Sequence, residues 1–340
     1  MDSSLDNTER VTTRLLVLSD TCGKTLDTAP LNGNNVDVVV HCGNLTMNST
    51  PSQYQAALDL LRSLDAGLKL VVPGCKDVTL RDGHDIMRTP VTSKDLSSKF
   101  HQDCLTGNKP EIRPMSTLKD RQDNYGIVFL GEGNHSFTLA NGGVLEVYAG
   151  PCIRRDPDGL PHPRQPADWH LYSMYPTVDI AITHIMPYGI MDMSADDEHL
   201  GNSNLFTSVA RTQPKVHCFG HSSRNWGAEM IVWRPFISNK PNHRIDVDPS
   251  RSRLIADLAS ANKAGDADKN PAFYTAQNFS PNNHDRGLRV KRFGGQTLMV
   301  NAALIAEDGA GLTQKPWMVD IQLPLPRKTD EASRRYCCAG

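Results

Sequence analysis

Five short apolar runs in this chain each end in side chains able to do chemistry: "RLLVLSDTCG", "VDVVVHCGN", "LKLVVPGCKD", "VDIAITHIMP" and "KVHCFGHSS". Together they present Asp20, Cys22, Asn44, Cys75, Lys76, Asp77, His184, His221 and Ser223. Histidines, thiolates, a carboxylate and a carboxamide are the groups that hold transition metals. A lysine beside a histidine and a cysteine of lowered pKa can instead receive an anion or carry acid–base work. The inventory therefore points to a metal centre or to what replaced one.

Such residues form a site only if the fold brings them together. Each run is rich in β-branched residues and is followed at once by turn and polar residues, the pattern of a buried strand of about 5 to 6 residues. Ligands in open α/β sheets bind beyond the carboxyl ends of the strands, which is where the polar residues lie. Between the second and third runs, "STPSQYQAALDLLRSLDAG" predicts a helix. Thr50 with Gln53 makes a capping-box pattern and Pro51 sits at the first helical position. Tyr54, Ala57, Leu58, Leu61 and Leu64 fall on one face, and Gly67 marks the stop. This is a β-α-β unit.

Further helices are expected around "TSKDLSSKFHQDCL" and "NLFTSVART". "GIVFLGEGNHSFTLANGGVLEVYAG" reads as closely spaced antiparallel strands, with "GNH" at 133 to 135 as a hairpin turn. A polar stretch at about 236–292 reads as an insertion or lid with one helix-like segment, "RSRLIADLASAN". Strands return at "QTLMVNAALI" and "PWMVDIQL". The expected organisation is a single domain over 13–325, with 1–12 and 326–340 disordered.

Composition narrows the classes. A net charge of −2 gives no basic surface for nucleic acid. The polar, acidic start is unlike a signal peptide and no apolar run approaches ~20 residues, so a cytoplasmic protein without a membrane span is expected. The 8 cysteines are scattered, unlike a disulfide scaffold, and most are expected as reduced thiols. The tail "RRYCCAG" puts Cys337 fourth from the end, but its neighbours fit a prenylation box poorly.

The ordered set "SDTCG", "HCGNLT", "VPGCKD", "THIMP" and "FGHSSRNWG" resembles the calcineurin-like metallophosphoesterase superfamily, whose motifs are D-x-H, G-D-x-x, G-N-H-[DE], H and G-H-x-H. "VLEVYAGP", "DWHLYSMYPTVDIAITH" and "TLMVNAALI" look like its small single-domain members rather than its protein phosphatases. The resemblance implies an α/β (α+β) fold, a two-sheet β sandwich flanked by helices, with metals at the strand ends. It implies that Asp20, His184 and His221 are retained metal ligands. Cys22 and Ser223 stand where histidines belong, Asn44 where an aspartate bridges two metals, and Cys75 where the asparagine ligand belongs. Lys76 replaces the histidine that serves the leaving group, and Asp77 is its usual orienting acid. The loop carrying Arg154, Arg155, His162 and Trp169 resembles one that overhangs the site.

A neutral carboxamide bridges two dications poorly, so the standard two-metal hydroxide chemistry is not expected. Two arrangements remain. Cys75, His184 and His221 could hold one divalent ion, zinc by donor type, with manganese or iron as other candidates. Alternatively the Lys76 ammonium pairs with Asp20 and the site is metal-free. Either suits an enzyme descended from phosphoesterases and acting on a small, anionic substrate, with Lys76, Asp77 and His184 as catalytic candidates. The competing class is a pseudo-phosphatase that serves as a binding or scaffold module. The oligomeric state is not legible.

Overall fold

A computed structural model describes residues 9–81, 91–92, 125–152, 170–263, 273–278 and 295–326. Two mixed seven-stranded sheets form the body. The first has the order β12, β14, β1, β2, β3, β5, β4, where β1 is Arg10–Leu18, β2 Val38–His41, β3 Leu68–Val71, β4 Val91–Thr92, β5 Ile127–Phe129, β12 Tyr274–Asn278 and β14 Trp317–Pro324. The second has the order β11, β10, β13, β9, β8, β7, β6, where β6 is Gly133–Thr138, β7 Val144–Gly150, β8 Ile180–Thr183, β9 Val216–Phe219, β10 Gly227–Val232, β11 Arg253–Asp257 and β13 Gln296–Asn301. Each sheet has four parallel central strands, β1-β2-β3-β5 and β13-β9-β8-β7.

Strand periodicity explains the layering. Leu15, Val17, Val38 and Val40 of the first sheet pack against Val147, Ile180, Ile182, Val216 and Val300 of the second in a common core. The alternate residues Leu16, Leu18 and Val39 face outward and are covered by helix α1, Pro51–Ser63. On the far side, Tyr148, Phe219, Ile231 and Met299 are covered by helix α3, Ser203–Thr212. Burial on both faces is why these strands read as unbroken apolar runs. Each fully buried Leu or Val contributes about 1.5–3 kcal/mol, so three apolar layers hold the strand ends in place. The two-sheet sandwich flanked by helices expected from sequence is the observed fold.

Several local readings change. Thr50 caps α1 by accepting from Gln53 N, but the Gln53 carboxamide accepts from Met47 N and Asn48 N instead of closing the capping box. That ties the helix start to the loop after β2. The "GNH" triplet opens strand β6 rather than forming a turn: Gly133, Asn134 and His135 pair with Ala149, Tyr148 and Val147. The turn lies at the next Gly/Asn cluster, where Gly142 has φ +85°. The helix-like segment at 251–262 splits into β11 and a short helix, α5, Leu258–Lys263, because pairing with β10 overrides local propensity. Together with β12, it gives the polar stretch a structural part: it supplies an edge strand to each sheet. Two short helices, α2 at Val78–Arg81 and α4 at His243–Asp246, and a 3-10 turn at Ser223–Asn225 complete the described elements. The helix expected around "TSKDLSSKFHQDCL" lies outside the described residues, as do 1–8 and 327–340, whereas Arg10, Val11 and Thr12, expected to be disordered, open β1 and pair with Pro324, Leu323 and Gln322.

Candidate functional site

The loops after the parallel strands are stitched edge to edge. Asp20 N donates to Gly43 O at 2.9 Å and Cys22 N to Asn44 O at 2.9 Å, joining the β1 and β2 loops. Lys76 N donates to Asn44 Oδ1 at 2.8 Å, joining the β2 and β3 loops. Cys152 N donates to Pro73 O at 3.0 Å, joining the β3 loop to the end of β7. Gly220 N donates to His184 O at 3.2 Å, and His221 N returns to Asp20 Oδ2 at 2.9 Å. The result is a ring of loops around the site, joined by backbone bonds and by the Asn44 and Asp20 side chains.

Close approach within the ring needs glycine. A Cβ on Gly74 would sit 2.1 Å from Asn44 N, and one on Gly220 would sit 2.0 Å from Ser19 Oγ and 2.4 Å from Asp20 Oδ2. Four ring residues, Asp20, Cys22, Asn44 and His221, hold φ between 53° and 70°. Non-glycine residues in this region cluster at functional sites, where the surroundings over-determine them.

The half of the site that would hold a first metal is closed by direct hydrogen bonds. Asn44 Nδ2 donates to Asp20 Oδ1 at 2.7 Å, while Asp20 Oδ2 accepts from Ser19 Oγ and His221 N. Both ends of the Asn44 carboxamide are therefore engaged. Cys22 is buried, and burial with the nearby Asp20 charge pushes its thiol up to about 12, so it remains a neutral thiol. Ser223 opens a 3-10 turn, and among the described residues no hydrogen bond joins its side chain to Asp20, Cys22 or Asn44.

The other half is different. Cys75 Sγ and ring nitrogens of His184 and His221 lie within 4.8 Å of one another. His184 is fully buried and its Nδ1 lies 2.7 Å from Cys42 O, which can only accept. Nδ1 therefore carries the proton and Nε2 presents a lone pair, 3.2 Å from His221 Nδ1. His221 reaches the surface, so this cluster is open to solvent on one side. Two imidazoles and a thiolate suit zinc. However, Cys75 Sγ is bonded to Cys152 Sγ, and a disulfide sulfur is not a thiolate. The donor set fits a divalent ion when that bond is reduced, and falls to two histidines when it is formed.

Three curated proteins are similar to this chain in sequence. The chain is 24% identical over 219 residues to the UPF0046 protein T07D4.2 of Caenorhabditis elegans, covering 59% of this chain and half (50%) of that protein. It is 24% identical over 258 residues to the human and mouse Metallophosphoesterase domain-containing protein 1, covering 72% of this chain and 71% of those proteins. The chain is similar, at low identity, to the metallophosphoesterase domain-containing proteins. No family model matches it. The purple acid phosphatase PPD1 from yellow lupin (Lupinus luteus) seeds superposes with a TM-score of 0.35 at 10% identity, over 92% of this chain and 54% of that one.

Within the two-sheet frame, Asp20, Cys22, Asn44, Cys75, His184 and His221 all come to the strand ends. Lys76 does not pair with Asp20: its Nζ lies 3.0 Å from Met47 Sδ, and Asp20 is already met by three donors. The electrostatic replacement of a metal by Lys76 is thus not the arrangement found. Asp77 does not orient Lys76 either. It is buried and accepts from Gly74 N, Leu45 N, Thr46 N and Thr46 Oγ1, clamping the β2 and β3 loops. Burial pushes its carboxyl up against those four donors. Arg154, Arg155, His162 and Trp169 lie outside the described residues.

Cys152 is the residue that sequence reading overlooked, and its disulfide overturns the expectation of a reduced Cys75. The signal was present: "YAGPC" ends a strand in polar residues, like the five runs that were used. Behind the site, His41 Nδ1 accepts from Gly43 N, so its Nε2 donates to Thr21 Oγ1 at 3.0 Å. Burial lowers His41 to about 4 and keeps it neutral.

Proposed function

We propose that the chain is a hydrolase-derived enzyme with one divalent metal, zinc by donor type, held by His184, His221 and the Cys75 thiolate. The observation that carries this reading is the convergence of those three donors within 4.8 Å, with the His184 lone pair fixed by Cys42 O. A zinc ion there would supply Lewis-acid activation of water or of a phosphoryl or carbonyl oxygen. The protein's own part is to fix the His184 tautomer, to hold the Cys75 loop through Asp77, and to offer Lys76 as a cation for a small anionic substrate. Lys76 sits beside the cluster on the same loop as Cys75 and is half-buried.

Metal analysis of reduced protein, paired with turnover of bis-p-nitrophenyl phosphate, tests the proposal. One equivalent of zinc, lost in Cys75→Ala together with turnover, is the expected result. Two equivalents with brisk turnover would restore ordinary two-metal chemistry and overturn it.

A second reading, a binding module without turnover, is favoured by the hydrogen-bonded closure of Asp20 on Asn44 and by the burial of Cys22. It requires that reduced, zinc-supplied protein bind an anionic ester without hydrolysing it.

A further inference from the structure

We infer that the Cys75–Cys152 disulfide is a redox gate on the metal site, an inference that rests on the single-metal reading above. Formed, it removes one of three donors; broken, it creates the complete set without rebuilding the loop. The second half of that statement follows from how the loop is held. Gly74 N and Lys76 N on either side of Cys75 are bonded to Asp77 Oδ2 and Asn44 Oδ1 at 2.9 and 2.8 Å. Cys152 is fixed independently by its N–H on Pro73 O. None of these bonds depends on sulfur, so reduction leaves Cys75 Sγ beside His184 and His221.

The gate is also selective among the described cysteines. Cys22, Cys42 and Cys218 are free thiols, and all three are buried away from solvent and its oxidants. Cys75 is only half-buried, and the neighbouring His221 opens the cluster to solvent.

The chemistry balances with a dithiol as reductant. One of its thiolates attacks a sulfur of the disulfide, the Cys75–Cys152 bond breaks, and the second dithiol sulfur displaces the protein thiol. The reductant becomes a cyclic disulfide, having given two electrons, and its two protons end on Cys75 and Cys152. A divalent ion then displaces the Cys75 proton. In the oxidising direction, a peroxide accepts two electrons from the two thiols and leaves as water.

Cobalt(II) is the probe, because a thiolate ligand gives it a near-ultraviolet charge-transfer band independent of turnover. In air-oxidised protein, peptide mapping is expected to show Cys75 linked to Cys152, with no thiolate band. After treatment with a phosphine reductant, one equivalent of cobalt should bind with the band present, and more tightly than to the oxidised protein. Cys152→Ser should bind with the band and without any reductant, and Cys75→Ser should show no thiolate band and only the weak binding of the oxidised protein in either state. Equal binding by oxidised and reduced protein overturns the gate while leaving a single-metal site standing. Absence of binding in both states and in Cys152→Ser overturns the site and the gate together. Free Cys75 and Cys152 after peroxide treatment also overturn the gate. Chemical reduction of the wild type keeps the test intact should Cys152→Ser fold poorly.

Discussion

The Asn44 carboxamide donates to Asp20 Oδ1 at 2.7 Å, so a hydrogen bond from an uncharged donor spans the place where the resemblance puts a bridging carboxylate. Changing Asn44 to Asp would set two acceptors against each other in a buried position. In chelator, Asn44→Asp is expected to lower unfolding stability by about 2–3 kcal/mol, read from urea midpoints. Manganese or zinc should return much of that loss. A midpoint unchanged in chelator would show that this bond does not hold the loops.

Asp77 holds two loops through four donors. Asp77→Asn turns one acceptor atom into a donor facing backbone N–H groups, and should reduce stability by roughly 3 kcal/mol. The pH profile of any turnover in the folded fraction is expected to stay where it is in the wild type. A displaced profile would give Asp77 a direct part in the chemistry.

Gly74 lies under Asn44 with no room for a methyl group. Gly74→Ala should cost about 3 kcal/mol or prevent folding. Gly67→Ala, where nothing lies within 4 Å, should stay within about 0.5 kcal/mol of the wild type by thermal melt.

Two buried histidines set an acid limit. Burial lowers His41 to about 4 and His217 to about 3, both below the unfolded value of about 6.5. The unfolded chain therefore binds more protons across that interval, so stability is full above pH 6.5 and falls as pH drops towards 4. The limiting slope is about 1.4 kcal/mol per pH unit for each histidine. Urea midpoints between pH 7 and 5 check this, and His41→Gln should flatten the curve.

Lys76 follows Cys75 in the loop after β3, with its ammonium against Met47 Sδ. Lys76→Met should leave stability within about 0.5 kcal/mol and weaken binding of an anionic ester roughly 10-fold at low salt. Equal affinity in the two proteins would remove Lys76 from the site.

The sheet frame was legible because buried parallel strands are apolar on both faces, and their C-terminal ends announce themselves by the change to polar residues. Helix α1 was legible from Thr50, Pro51 and the apolar face it starts. What sequence could not give was partner choice. Asn44 was read as a poor bridge, which is sound chemistry, but nothing local says that its amide would turn to Asp20. Lys76 was matched to Asp20 by charge, although Asp20 finds three neutral donors nearer. Cys75 was judged by its motif position, while its bond to Cys152 joins residues 77 apart through a contact only the sandwich creates. The strand β11 was hidden for the same reason: its pairing partner lies in another part of the chain.

The left-handed backbone shared by Asp20, Cys22, Asn44 and His221 dictates which residues these loops can carry at all. Asp, Asn and His visit that conformation comparatively readily, whereas Cys and, still more, β-branched residues resist it. Cys22 is thus the uncomfortable member, and Cys22→Asn should relax the chain by about 1 kcal/mol. A library that varies these four positions will recover folded proteins almost wholly from Gly, Asn, Asp and His. Three of those are metal ligands, so a random search of the loops is already a biased search for new metal sites.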